Sequence, residues 1–116
     1  MASDSADRDA SIHRLKADFF RLLGHPVRVR ILELLRDGER SVGDLQAELG
    51  LDSGATSQQL TTMRRQGVLE SRRAGTHVFY RVKDPRVFQL LAVARQMLAA
   101  QLAERRDALG DLERTG

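Results

Sequence analysis

Residues 53–65, SGATSQQLTTMRR, with Gln66 and Gly67 behind them, decide how this chain is read. By propensity the stretch is a poor helix. Gly54 costs about 1 kcal/mol against alanine in a helix interior, and each Ser or Thr about 0.5 kcal/mol. Only Leu60 and Met63 are large and apolar. A helical wheel at about 100° per residue changes the picture. With Thr56 at the origin, Leu60 and Met63 fall beside it and Gln59 flanks them. Gly54, Ser57, Gln58, Thr61, Arg64 and Arg65 gather on the opposite side.

Every residue on that opposite side is small, polar or cationic, as an element entering the major groove of DNA requires. Ser53, Gly54 and Ser57 keep the first turns slim enough to approach base edges. Gln58 can pair bidentately with adenine, and the Thr61 methyl can meet a thymine methyl. Arg64 and Arg65 would reach phosphates about one turn later. The propensity deficit, roughly 3–4 kcal/mol over the weak residues, must then be offset by capping and by packing of Leu60 and Met63. The competing reading is a polar face that touches only water, and the flanking segments decide between them.

Asp52 is a good N-cap for this helix. Before it, Ser41 and Asp44 resemble a capping box, Val42, Leu45 and Leu49 form an apolar stripe, and Gly50 stops that helix. Residues 26–36 predict another helix, with Pro26 in its first turn. The segment GHP at 24–26 separates it from a first helix over 11–23, where Ile12, Leu15, Phe19, Leu22 and Leu23 are helically spaced. After Gly67 the period falls from 3.6 to 2, so 68–73 and 77–82 read as strands around a turn at Ala74, Gly75 and Thr76. Residues 85–109 return to helix, with an apolar stripe through Val87, Leu91, Leu98 and Leu102.

The expected fold is mostly α with a two-stranded β-hairpin (α+β), in the order helix-helix-helix-helix-strand-strand-helix: a winged helix-turn-helix. Residues 1–10 read as a disordered leader, 11–109 as a DNA-binding and dimerisation domain, and 110–116 as a frayed tail.

Composition narrows the function. The 116 residues suit one domain, and 4% aromatics leave its core to Leu, Val, Ile and Ala. No apolar run is long enough to span a bilayer, and the opening MASDSADRDASIHR is unlike a signal peptide, so a cytoplasmic location is expected. Cysteine is absent, which excludes disulfides, thiolate metal ligands and thiol redox sensing. His13, His25 and His77 are far apart, and no HExxH, phosphate loop or nucleophile elbow occurs. No catalytic residue, metal site or cofactor is therefore expected.

Net charge is +3, but its distribution is uneven. Residues 53–83 contain Arg64, Arg65, Arg72, Arg73, Arg81 and Lys83 against Glu70 alone. A basic segment rich in arginine suits a polyanion. Arg72, Arg73 and Thr76 sit beside the hairpin turn, where they could follow a duplex backbone or enter the minor groove. Adjacent arginines on an edge strand also guard against edge pairing. His77 by itself reads as a solvent-facing strand residue.

The segments LLGHPVRVRILELL, SVGDLQAELGL, SGATSQQLTTMRRQGVL and RRAGTHVFYRV, in this order and spacing, resemble the ArsR/SmtB family of bacterial winged-helix repressors over residues 16–95. The resemblance implies a homodimer built from the first and last helices, here with Ile12, Leu15, Phe19, Leu91, Leu98 and Leu102 at the interface. It implies binding to an inverted repeat in double-stranded DNA, and release by an effector, which for this chain is left open among a small organic molecule, a protein and none. Carried over position by position, it puts DNA contacts at Ser53, Gly54, Thr56, Ser57 and Gln58, and the wing at Arg72 to His77. The wheel and the resemblance part at Thr56, which the wheel turns inward. Ser41 and Gly43 stand where the family's thiol-based metal sensors carry cysteines, and the last helix lacks histidine. The alternative to a sequence-specific repressor is a winged-helix module that binds a protein through the same surface.

Overall fold

The computed structural model describes residues 2–115. It comprises two compact units, one ending at Lys83 and one beginning at Asp84. The first contains α1 (Ala2–Leu23), α2 (Pro26–Leu34), β1 (Arg40–Ser41), α3 (Val42–Leu49), α4 (Ser53–Arg65), β2 (Leu69–Ala74) and β3 (His77–Val82). The second contains α5 (Arg86–Thr115).

The doubtful stretch is a helix, and both its ends are well bonded. The Asp52 carboxylate accepts from the Ala55 N–H at 2.7 Å, and the Asp52 carbonyl accepts from Thr56 Oγ1 at 2.9 Å. The first bond satisfies a backbone donor that a helix start leaves open, and the second satisfies the buried Thr56 hydroxyl. At the far end the Gly67 N–H donates to the Arg64 carbonyl and the Val68 N–H to the Met63 carbonyl, both at 3.0 Å. This is a Schellman motif, and it requires the left-handed backbone that Gly67 supplies with φ +80°. Thr56, Leu60 and Met63 are each 0% exposed. The wheel's inward placement of Thr56 is thus the observed one, its hydroxyl satisfied within α4.

Around that face the core of the first unit collects Leu22, Ile31, Leu32, Leu35, Leu45, Leu69 and Tyr80. Helix α2 begins at Pro26, capped by His25, whose Nδ1 accepts from the Val27 N–H at 3.2 Å. It is tied sideways by Arg28, whose Nε donates to Gln59 Oε1 of α4 at 2.9 Å, and by Arg30, which donates to the Glu48 carbonyl of α3 at 3.2 Å. Ser41 caps α3 by accepting from the Asp44 N–H at 3.1 Å.

The sheet has three strands in the order β1-β3-β2, all antiparallel neighbours. Strand β1, which pairs Arg40 with Tyr80 and Ser41 with Phe79, is an addition to the expected hairpin. Two residues are too few to display alternation in a sequence. The hairpin turn is tighter than expected, because Ala74 pairs with His77 and belongs to β2. Only Gly75 and Thr76 remain in the turn, with Gly75 at φ +62° and no positive φ at Thr76. That combination is a type II′ turn, which matches the right-handed twist of the strands.

At both ends the helices run further than the predicted helix bounds, and Met1 and Gly116, the outermost residues of the expected leader and tail, lie outside the described residues. Residues 2–10, expected as a disordered leader, continue α1. No glycine or proline interrupts residues 2–23, and alanine recurs at Ala6, Ala10 and Ala17. Residues 110–115, expected as a frayed tail, continue α5. Gly110 weakens a helix by about 1 kcal/mol without breaking one. In the last turn Thr115 Oγ1 donates to the Asp111 carbonyl at 3.0 Å. Helix α5 therefore has 30 residues, a length of about 45 Å.

Leu60 is fully buried, so Leu60→Ala is expected to cost about 2–5 kcal/mol, measured by urea unfolding. A loss below about 1 kcal/mol would mean that packing of this face does not hold α4 in place.

Candidate nucleic-acid interface

With Thr56, Leu60 and Met63 turned inward, the other side of α4 has no packing role. Ser53, Gly54, Ser57, Gln58, Arg64 and Arg65 are all exposed, and Thr61 is half-buried. Gly54 illustrates the point. A Cβ added there would meet only the Asp52 carboxylate, at an ordinary 3.4 Å, so the fold does not require glycine at this position. Glycine there leaves the first turn of α4 narrow.

The hairpin brings a second set of predicted residues to the same place. Ser57 and Thr61 of α4 and Thr76 and His77 of the wing line one open groove of about 360 Å³. These two pairs come from separate elements and were identified separately from sequence. Val42 and Gly43, the first residues of α3, also line it, and the sequence reading did not select them. Nothing in the local pattern marks them, since their role arises only from where β1 delivers the chain.

The arginines divide into two groups. Arg72 and Arg81 are engaged within the sheet. Arg72 Nε donates to both carboxylate oxygens of Glu39, at 3.0 and 2.8 Å, and its Nη2 also bonds Glu39 Oε1. Its guanidinium lies 4.6 Å from the centre of the Phe79 ring. Arg81 pairs with Glu70, its cross-strand neighbour, at 2.8 Å. The Arg72 hydrogen bonds hold the Glu39 carboxyl below the usual carboxylate range, and the Glu39 hydrogen bond in turn raises Arg72. Arg64, Arg65, Arg73 and Lys83 enter none of the ion pairs among the described residues. Of the arginines expected to contact DNA, Arg64, Arg65 and Arg73 thus present open guanidinium groups, and Arg72 does not.

Among the described residues no cluster of three or more His, Cys, Asp or Glu could hold a metal ion. No helix among them is long and apolar enough to cross a membrane.

Comparison with known proteins agrees with this geometry. Residues 25–71, from the cap of α2 into β2, match the model of the bacterial regulatory protein arsR family. The chain is 47% identical over 106 residues to the HTH-type transcriptional regulator Rv0081 of Mycobacterium tuberculosis, covering 90% of this chain and 93% of that protein. It is 35% identical over 85 residues to a biofilm growth-associated repressor of Xylella fastidiosa, covering 73% of this chain and 75% of that one. The crystal structure of Rv0081 superposes with a TM-score of 0.75 at 48% identity, covering 81% of this chain and 95% of that one. A homodimeric winged helix-turn-helix DNA-binding domain from Mycobacterium bovis, Mb0332, superposes with a TM-score of 0.74 at 30% identity, covering 84% and 91%. A winged helix-turn-helix with a polar and cationic outer side on α4, matched over most of its length by such relatives, identifies the chain as a DNA-binding transcriptional regulator that belongs to the arsR family of bacterial regulatory proteins.

Proposed function

We propose that this regulator is a homodimeric repressor that reads an inverted repeat in double-stranded DNA. In this reading α4 enters the major groove and the β2–β3 hairpin flanks it. The observation that carries it is the convergence of the outer face of α4 and the hairpin tip on one groove, with Arg64, Arg65 and Arg73 in none of the ion pairs among the described residues. Ser57, Gln58 and Thr61 would face bases, while Arg64, Arg65 and Arg73 would face phosphates. Thr56, fully buried, has no part in this contact.

Exposed apolar residues on α1 and on α5 support the dimer. Ile12, Leu15, Phe19, Leu98 and Leu102 are between 40% and 69% exposed, and Leu91 is half-buried. Large apolar side chains repeated along a helix face mark a partner surface. Two reading heads about one helical turn apart require such a partner. The Mycobacterium bovis relative is a homodimer, and the Xylella fastidiosa relative is a repressor. Release by a small molecule or protein effector, and a cytoplasmic setting, complete the proposal. Binding a protein through the same surface is the weaker alternative, because the surface is polar and cationic where a protein interface would centre on apolar residues.

Duplexes selected from genomic DNA with the purified protein would test the proposal by fluorescence anisotropy. Log affinity is expected to fall linearly with log salt, by about 0.9 per phosphate contacted, and a nearly flat dependence would exclude the DNA reading. Arg64→Ala is expected to weaken binding to every sequence and to lower the slope by about 1, whereas Gln58→Ala relaxes preference at one base pair by about 1–3 kcal/mol. Identical behaviour of the two variants would refute the division of α4 into base and phosphate contacts. Leu98→Asp is expected to yield monomers with much weaker operator binding, and light scattering that still reports a dimer would refute the interface.

A further inference from the structure

The Glu39–Arg72 pair lies on the outer face of the sheet and joins its two edges. Strands β1 and β2 are not neighbours, because β3 runs between them. Phe79 on β3 is registered opposite Ser41 on one side and Arg72 on the other. Glu39 precedes β1, so its bond to Arg72 passes over β3, with the guanidinium 4.6 Å from the Phe79 ring centre. We propose that Glu39 is a positioning residue for the wing, and that Arg72 serves as the other half of a clamp across the sheet instead of a phosphate contact. This rests on the DNA-binding reading above.

A lone exposed ion pair would not support such a role, since most contribute little. This one differs in three respects. The arginine fork meets both carboxylate oxygens, a geometry only arginine provides. The guanidinium lies against an aromatic ring, which adds a cation–π attraction. The ladder it reinforces is weak, because β1 contributes only Arg40 and Ser41 to the pairing. Helix α3 follows β1 without a linker, at Val42. The clamp thereby ties the Val42–Gly43 wall of the groove to the hairpin that carries Thr76 and His77. Arg73 alternates to the other face of β2, in register with Val78, which lines that groove. The clamp uses Arg72, and Arg73 stays available to the duplex.

The two roles of Arg72 predict opposite results. If Arg72 is half of the clamp, Glu39→Gln and Arg72→Gln each weaken operator binding by about threefold to tenfold and leave the salt slope unchanged. Arg73→Gln then lowers the slope by about 0.9. Exchanging the pair, Glu39→Arg with Arg72→Glu, recovers part of the affinity. If Arg72 instead binds phosphate, Glu39→Gln tightens binding and steepens the slope, and Arg72→Gln flattens it. Either of these results, or unchanged affinity in Glu39→Gln, overturns the proposal. A second measurement separates the clamp from the DNA reading. Amide hydrogen exchange at Arg40, the β1 residue paired with Tyr80, in the DNA-free protein should quicken in Glu39→Gln. If the native protein binds no duplex, the DNA reading fails, and this exchange alone decides the clamp: quickening supports it and unchanged rates overturn it.

Discussion

The burial of three residues of α4, Thr56, Leu60 and Met63, is the constraint on which the rest of the first unit depends. A helix of small and polar residues is not stable by propensity. Packing of one narrow face against α2, α3 and β2, with caps at both ends, supplies what the sequence of α4 lacks. Because the fully buried face is narrow, the side that carries Ser53, Gly54, Ser57, Gln58, Arg64 and Arg65 is left exposed and free of structural duty. Residues chosen for contact with a ligand can occupy it at little cost to the fold. Burial of those three residues orients α4 about its own axis, and the Arg28–Gln59 bond ties it to α2.

The formal charge of the basic segment overstates what a duplex would meet. Glu39 and Glu70 neutralise two of its cations on the outer face of the sheet. The charge left unpaired belongs to Arg64 and Arg65 at the end of α4, Arg73 on the opposite side of β2, and Lys83. An exposed cation paired at home must give up that bond, or share it, before it can neutralise a phosphate. The local field is therefore concentrated by subtraction, and its centre lies nearer the helix end and the groove than a count along the chain implies.

Much of this was legible in the sequence, and the failures have common causes. Periodicity and capping residues located α2, α3, α4 and the hairpin. The wheel placed Thr56 inward from spacing alone, because burial of a helix face is a local property. What escaped depended on distance in the chain. Glu39 and Arg72 are 33 residues apart, and no local pattern links them. Val42 and Gly43 became a groove wall only through a strand of two residues. The extent of the terminal helices was less legible. Polar composition suggested disorder in residues 2–10, but nothing there breaks a helix that the following residues already favour. The candidate site was thus readable as a set of residue types on α4 and the wing, but not as a pairing of charges.

The Schellman corner at Gly67 has a consequence for how binding is accomplished. Val68 is bonded back to Met63, and Leu69 already belongs to β2, so no slack chain separates the helix from the wing. The two parts that would grip a duplex are segments of one stiff body. Their mutual orientation is settled during folding, and little further ordering is left for the moment of association. Fit to DNA is then a matter of the duplex matching a fixed jaw, and sequences that bend or narrow to that shape gain an advantage even at base pairs no side chain reaches.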